Sequence, residues 1–228
     1  QLTRPDMNYM EEGSPINASP SYLSMIEDLP CTEAVVPAVY RAGIVKDGED
    51  IYGVLVKGRP VRVSDSLALA VSVPESFARR TGISVGDRML TYFVGEKMQV
   101  RQFNVAEIYD SGVDPDGKFL IYADIDDMRR LNGWTADQAS LLEVMLKPDF
   151  KTEKGMKESA SQIGFIMNAY EQEEDDTLIA SSAISKYPQL FGWLLLIDFN
   201  VFFILLLMTI VAGFNMISGL LIMLFENI

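Results

Sequence analysis

Carboxylates are the side chains with the most chemical promise in this 228-residue chain, which contains no histidine and a single cysteine, Cys31. Asp110, Asp114, Asp116 and Gly117 resemble part of a calcium loop, in which oxygen ligands alternate around an obligatory glycine. Taking Gly117 as that glycine puts Gly112 at the first ligand position and Ala123 at the last. Neither can ligate through a side chain, so an Asx-rich turn is the better reading. A second acidic run, Glu171, Glu173, Glu174, Asp175 and Asp176, has the charge to attract a cation, but such runs are usually solvated, and this one reads as a linker. Asp124, Asp126 and Asp127 fit the first turn of a helix, where the macrodipole favours negative charge.

The missing residue types exclude whole chemistries. Without histidine there is no Ser-His-Asp or Cys-His nucleophile and no histidine-containing zinc site, and one cysteine cannot form an intramolecular disulfide. No G-x-x-x-x-G-K-[ST] loop is present, so the chain cannot hydrolyse ATP unaided. No catalytic residue, cofactor or metal ligand is therefore expected. The net charge is −13, and the part up to Ile197 carries all 19 basic and 30 of the 32 acidic residues. Such a surface is repelled by phosphate backbones, which excludes nucleic acid as a partner.

The elements that position these residues alternate between strand and helix. "AVVPAVYRAGIV" and "IYGVLVKG" are β-branched runs joined across Lys46-Asp47-Gly48-Glu49, which predicts a hairpin. "LALAVS" predicts a strand, and Pro74 opens a short helix ending at Gly82. "VGDRMLTYFV" and "MQVRQFNVAEIY" flank Gly95-Glu96-Lys97 as a second hairpin. "KFLIYA" is a strand, Asp124 the N-cap of the helix "IDDMRRLNG", and "SLLEVMLK" another strand. Lys151 to Gly164 predicts a helix and "FIMNAY" a further strand. The fold class expected is α+β with at least seven strands and no internal repeat.

Beyond Ile197 the composition changes. Phe199 to Phe225 is a run of 27 residues without a charge. As a helix it extends roughly 40 Å, more than the roughly 30 Å of a bilayer's hydrocarbon core. Ala212, Asn215 and Gly219 recur at i, i+3 and i+7, a small and amide-bearing face suited to helix packing in lipid. A simple membrane anchor would need no such face. Upstream, Tyr187, Phe191 and Trp193 sit where an interfacial aromatic belt would lie, and Pro188 either starts the long helix or kinks one begun earlier. The chain starts without Met or a signal pattern, which suggests a fragment or a processed product.

"SVPESFARRTGISVGDRMLTYF", "VRQFNVAEIYDSG", "KFLIYADIDDMRRLNGW" and "YPQLFGWLLLIDFNVFFILLLMTIVAGFNMISGLLIMLFE" follow one another as in permeases of the lipoprotein-releasing (LolC/LolE) and MacB/FtsX-like ABC transporter superfamily. The resemblance runs from about Leu67 to the end and more weakly to the N-terminus. Its most specific piece is a W-x-x-x-I-D-F-N approach followed by V-A-G-F-N-M-I-S-G within the span. The resemblance implies an exterior domain plus the second of four transmembrane helices, in the bacterial inner membrane with its bulk in the periplasm. It implies a porter-like subdomain from residues 1–63 and 132–180, an inserted β-rich subdomain at 64–131, and a stalk and transmembrane helix at 181–228.

The implied partners are membrane lipid, a second permease subunit as a homo- or heterodimer, a separate cytoplasmic ABC ATPase, and lipoprotein cargo. By position, Phe199, Phe203 and Leu206 are candidates for lining a path for cargo acyl chains. An FtsX-like regulator of a cell-wall hydrolase is the alternative, although its exterior domain is usually smaller. A membrane-anchored exterior enzyme lacks the residues for a site. Two features depart from the family. The hairpin tip Val94 to Met98 is too short for an arm that recruits an acceptor chaperone, and Gly58 joins directly to Arg59 where relatives usually carry a longer connection.

Overall fold

The computed structural model describes residues 1–8, 13–64, 67–95, 98–111, 119–173, 175–186 and 188–226. In order, these form β1 (Leu2–Thr3), β2 (Ile16–Asn17), α1 (Leu23–Glu27), β3 (Thr32–Asp47), β4 (Asp50–Arg59), β5 (Ala70–Pro74) and α2 (Glu75–Thr81). There follow β6 (Arg88–Phe93), β7 (Gln99–Tyr109), β8 (Phe119–Asp124), α3 (Ile125–Asn132), β9 (Gln138–Ala139) and β10 (Leu141–Leu146). A 3-10 turn (Pro148–Phe150), α4 (Glu153–Tyr170), β11 (Ile179–Ala180), α5 (Ala183–Lys186) and α6 (Pro188–Glu226) complete the chain. The chain divides into two units, Gln1–Ala183 and Ile184–Ile228.

The first unit is α+β, and its organising element is the long strand β3. The second half of β3 pairs with β4 from Val39↔Gly58 to Asp47↔Asp50, leaving a two-residue turn in which Gly48 takes φ +58°. β4 continues into parallel β8, β8 pairs antiparallel with β5, β5 lies parallel to β7, and β7 forms a hairpin with β6. β6 returns to β3 through Ile44↔Tyr92 and Val45↔Thr91, so six strands close into a small mixed barrel. Gly43 permits that closure, since a Cβ there would lie 2.8 Å from Thr91 Cγ2 and 3.0 Å from Phe93 Cε1.

Period-2 alternation fills the barrel. Val39 and Val45, Val54 and Val56, Met89 and Phe93, Phe103 and Val105, and Phe119 and Ile121 are buried from five strands. Each such side chain contributes about 1.5–3 kcal/mol on burial. Pro74 and Gly82 bound α2 as expected, with Gly82 left-handed at φ +70°. The carboxylate of Asp124 caps α3, accepting from Asp126 N at 2.8 Å, and Gly133 ends that helix at φ +70°. The short Gly58–Arg59 junction is accommodated inside β4, which runs through it in register with Ala123 and Asp124. A Cβ at Gly58 would meet Met128 Cγ at 2.9 Å and Ile125 Cα at 3.0 Å, so α3 sits directly on that glycine.

The first half of β3 belongs to a second layer, pairing with β10, which in turn carries β1 and β11. Its core is Leu2, Ile16, Tyr22, Ile26, Leu142, Ile163 and Met167, drawn from both ends of the unit. Here the structure differs from the sequence-based expectation in one element. "FIMNAY" is helical, the last third of α4, which starts at Glu153 behind the N-cap Thr152 rather than at Lys151 and continues past Gly164 to Tyr170. The reason is that Ser159, Ile163 and Met167 keep the four-residue spacing of a buried helix face. The strand-like look of the run comes from Phe165, which is exposed, and from β-branched Ile166, which packs at the edge of that face. Four two-residue strands (β1, β2, β9, β11) had no pattern by which to be read; they exist only through their partners.

The second unit is helical. Pro188 is the first residue of α6, where its missing N–H costs no hydrogen bond.

Candidate functional site

The residues singled out at the C-terminal end lie on α6, except Tyr187, which falls outside the described residues. Phe191–Leu224 is a 34-residue stretch long and apolar enough to cross a membrane. It extends about 50 Å. Asp198 is the only ionisable side chain within it. Pro188, Phe191 and Trp193 occupy the first two turns, and the indole of Trp193 is exposed.

At about 100° per residue, Phe199, Phe203 and Leu206 share one arc of about 60°. The Phe199 and Phe203 rings stack with centroids 6.5 Å apart and planes 20° from parallel. Ala212, Asn215 and Gly219 share another arc of similar width on the opposite side, about 18 Å further along the axis at Asn215 than at Phe203. The helix therefore does not bring the two groups together. It presents an aromatic face near one end and a small-residue face near the other. Thr209 Oγ1 donates to the Leu205 carbonyl at 2.8 Å, which satisfies that hydroxyl within the helix.

In the first unit the carboxylates with chemical promise are occupied by structural roles. Asp124 caps α3 and lies 3.6 Å from Arg62, Asp126 pairs with Arg129 at 3.2 Å, and Asp127 with Arg130 at 2.7 Å. Arg62, Arg130 and the three carboxylates border a cleft of 510 Å³ that is also lined by Leu67, Leu69 and Leu131. Burial pushes the Asp127 carboxyl above the usual range; Arg130 opposes this, and the neighbouring Asp124 and Asp126 add to it. Asp114, Asp116 and Gly117 lie outside the described residues, as do Glu96 and Lys97 at the hairpin tip.

The acidic run after α4 is not a solvated linker. Asp175 accepts from Ser21 N at 3.0 Å, from the Ser21 hydroxyl and from Gln172 N at 3.0 Å, while Asp176 accepts from Asn17 N at 2.8 Å. Although burial raises the Asp175 carboxyl, those hydrogen bonds outweigh it and hold the group below its ordinary value. The run clamps the N-terminal segment onto the end of α4. Glu174, within it, lies outside the described residues. Among the described residues no three acidic or cysteine side chains converge as a metal site.

Sequence reading missed a polar node between the two layers. Glu143 on β10 accepts from Lys57 Nζ at 2.8 and 2.7 Å, from the Tyr40 hydroxyl at 3.1 Å and from Gln1 Nε2 at 3.2 Å. The Lys57 and Glu143 side chains are only 12% and 18% exposed, and Lys57 Nζ lies 5.4 Å from the centre of the Tyr40 ring. A lysine on an outward strand position and a glutamate 86 residues away carry no mutual signal in the sequence. Arg41 was missed as well: it lies inside the barrel, donates to Asn132 Oδ1 at 2.8 Å and faces the Phe93 ring at 5.7 Å.

No protein-family model and no curated protein matches the chain. Solved structures do. The extracellular domain of the noncanonic ABC-type transporter YknZ from Gram-positive bacteria is similar to this chain at 12% identity, covering 79% of this chain and 98% of that one with a TM-score of 0.44. The periplasmic region of MacB from Actinobacillus actinomycetemcomitans is similar at 13% identity, covering 74% of this chain and 81% of its own, with a TM-score of 0.42.

Proposed function

We propose that the chain is the exterior domain and one transmembrane helix of a permease subunit in an ABC transport system. It couples ATP hydrolysis on a separate cytoplasmic subunit to movement of the exterior unit, for lipoprotein release from the bacterial inner membrane or for efflux-type export. The observation that carries this reading is the combination of an exterior unit whose two ends meet with a charge-poor helix that follows at once. Gln1 N donates to the Ser181 carbonyl and Ser181 N to the Gln1 carbonyl, both at 2.8 Å, and α6 starts at Pro188. The motifs around "YPQLFGWLLLIDFN" and "VAGFNMISG" support the same assignment.

In this reading residues 1–63 and 132–180 form the porter-like part and residues 64–131 the inserted part, whose strands β5 to β8 close the barrel with β3 and β4. The charge-free helix from Phe199 onward takes the hydrocarbon, with Pro188, Phe191 and Trp193 at the exterior interface. Phe199, Phe203 and Leu206 face cargo acyl chains, while Ala212, Asn215 and Gly219 pack against a helix of the second permease subunit. This chain performs no chemistry; tilting of the long helix at its cytoplasmic end moves the exterior unit as a lever.

The test is reconstitution of the complete permease with its ATPase in proteoliposomes carrying a triacylated lipoprotein. ATP-dependent release is expected. Phe203→Asp places a charge that costs about 3 kcal/mol at a helix centre and is expected to abolish release while the exterior unit stays folded. Normal release by a correctly inserted Phe203→Asp variant refutes the cargo-facing role. ATP-driven motion that activates a cell-wall hydrolase without releasing lipoprotein favours the FtsX-like alternative.

A further inference from the structure

We propose that the Lys57–Glu143 pair is the joint through which displacement of the exterior unit's two ends reaches the barrel. The inference rests on the transport reading for its purpose, and on geometry for its location. Gln1, beside β1, and Ser181, beside β11, are held to each other by two backbone hydrogen bonds. The register Leu2↔Leu142 sets Gln1 opposite Glu143, and the Gln1 amide donates to that carboxylate. Movement of Ser181, just ahead of α5 and α6, therefore reaches Glu143 through Gln1.

On its other side the same carboxylate holds the barrel. Tyr40 and Lys57 are direct partners across the β3–β4 ladder, and both donate to Glu143. A carboxylate that takes four hydrogen bonds from three donors on three different segments, sheltered from water, has one geometry at which all of them are satisfied. Breaking one side leaves a poorly hydrated charge, so displacement is transmitted rather than absorbed. The remaining ties between the layers are weaker or more local. Among the described residues they include the continuous strand β3, the Arg129 Nε donation to the Gln138 carbonyl at 2.9 Å, and the Tyr40 N donation to Ser140 Oγ at 2.9 Å. The backbone of β3 can bend between the layers. The ion pair resists that bend because it spans them off the axis of the strand.

The experiment uses the complete permease with its ATPase in proteoliposomes. Nitroxides are placed on cysteines introduced at Ile51, 69% exposed on the barrel, and at Phe165, 72% exposed on α4 of the second layer. The native Cys31 is buried and does not take the label. Double electron–electron resonance then reads the distance between layers with and without ATP. One narrow distribution in both nucleotide states is expected for the native pair. Glu143→Gln and Lys57→Met are expected to broaden it and to lower ATP-driven lipoprotein release by about fivefold or more, with the ATPase rate retained. The exchange Lys57→Glu with Glu143→Lys is expected to restore both readouts only in part, because an ammonium at position 143 re-forms the ion pair but cannot accept from Gln1 and Tyr40.

Unchanged distance distributions in both single variants overturn the joint. So does loss of the folded exterior unit in all three variants, because the pair is then a stability element. Should the native complex release no lipoprotein, the transport reading falls, while the label distances still decide whether the pair couples the layers.

Discussion

Individual side chains in the first unit do structural work, and two of them give pH-dependent signatures. Tyr22 is 1% exposed, and its hydroxyl has no hydrogen-bond partner among the described residues. Burial, with Asp175, Glu171 and Asp176 nearby, pushes its phenol up to about 12. The unfolded chain ionises this group near pH 10 while the folded chain keeps it protonated. Stability is therefore expected to fall as pH rises from about 10 to 12, and this slope disappears in Tyr22→Phe, as urea titrations across that range would register. At neutral pH the same variant removes a buried hydroxyl that lacks a partner, so it is expected to be neutral or stabilising by up to about 1 kcal/mol. Asp175 behaves oppositely. Its depressed carboxyl lends stability that is complete above the ordinary carboxylate range and is lost as pH falls through and below it, and thermal melts of Asp175→Asn should lack that acid-side slope. Asp124→Ala removes the cap of α3 and is expected to cost about 1 kcal/mol in urea unfolding.

Secondary elements were legible where a local signal sufficed. The alternation in "IYGVLVKG", the Gly48 turn, the Asp124 cap and the glycines closing α2 and α3 each rest on neighbours within a few residues, and each is observed. α4 was cut short because Gly164 and the β-prone pair Phe165-Ile166 argued locally against helix, whereas the spacing of Ile163 and Met167 against the second layer decided for it. At this scale one close contact sets glycine against helix backbone. Gly58→Ala pushes a methyl group into Ile125 Cα, a backbone atom of α3 that cannot rotate away. A loss of about 1–3 kcal/mol is expected, with a raised hydrogen-exchange rate in α3 rather than in α2.

Over the whole molecule, charge and hydropathy separate two bodies. The Gln1–Ala183 unit holds the buried core of both layers, while the helix beyond it exposes an apolar surface along its length. A chain ending at Ala183 is expected to stay monomeric in buffer with a cooperative melt, and the 228-residue chain to need detergent or lipid. Size-exclusion chromatography without detergent checks both. Aggregation of the shorter chain would mean that the helix covers apolar surface on the first unit.

Composition and short-range pattern by themselves determined that the chain has no histidine-dependent nucleophile, carries a net charge of −13, folds as α+β and contains a helix long and apolar enough to cross a membrane. These follow because a missing side chain, a net charge and a periodicity are properties of the chain in any conformation. Only the tertiary structure decided that six strands close into a barrel, that the acidic run clamps the N-terminal segment, and that Glu143 gathers Lys57, Tyr40 and Gln1. The physical reason is sequence separation: Lys57 and Glu143 are 86 residues apart, and Gln1 and Glu143 142 apart. Contacts across such separations depend on which strands pair, and pairing is chosen by how the whole core packs.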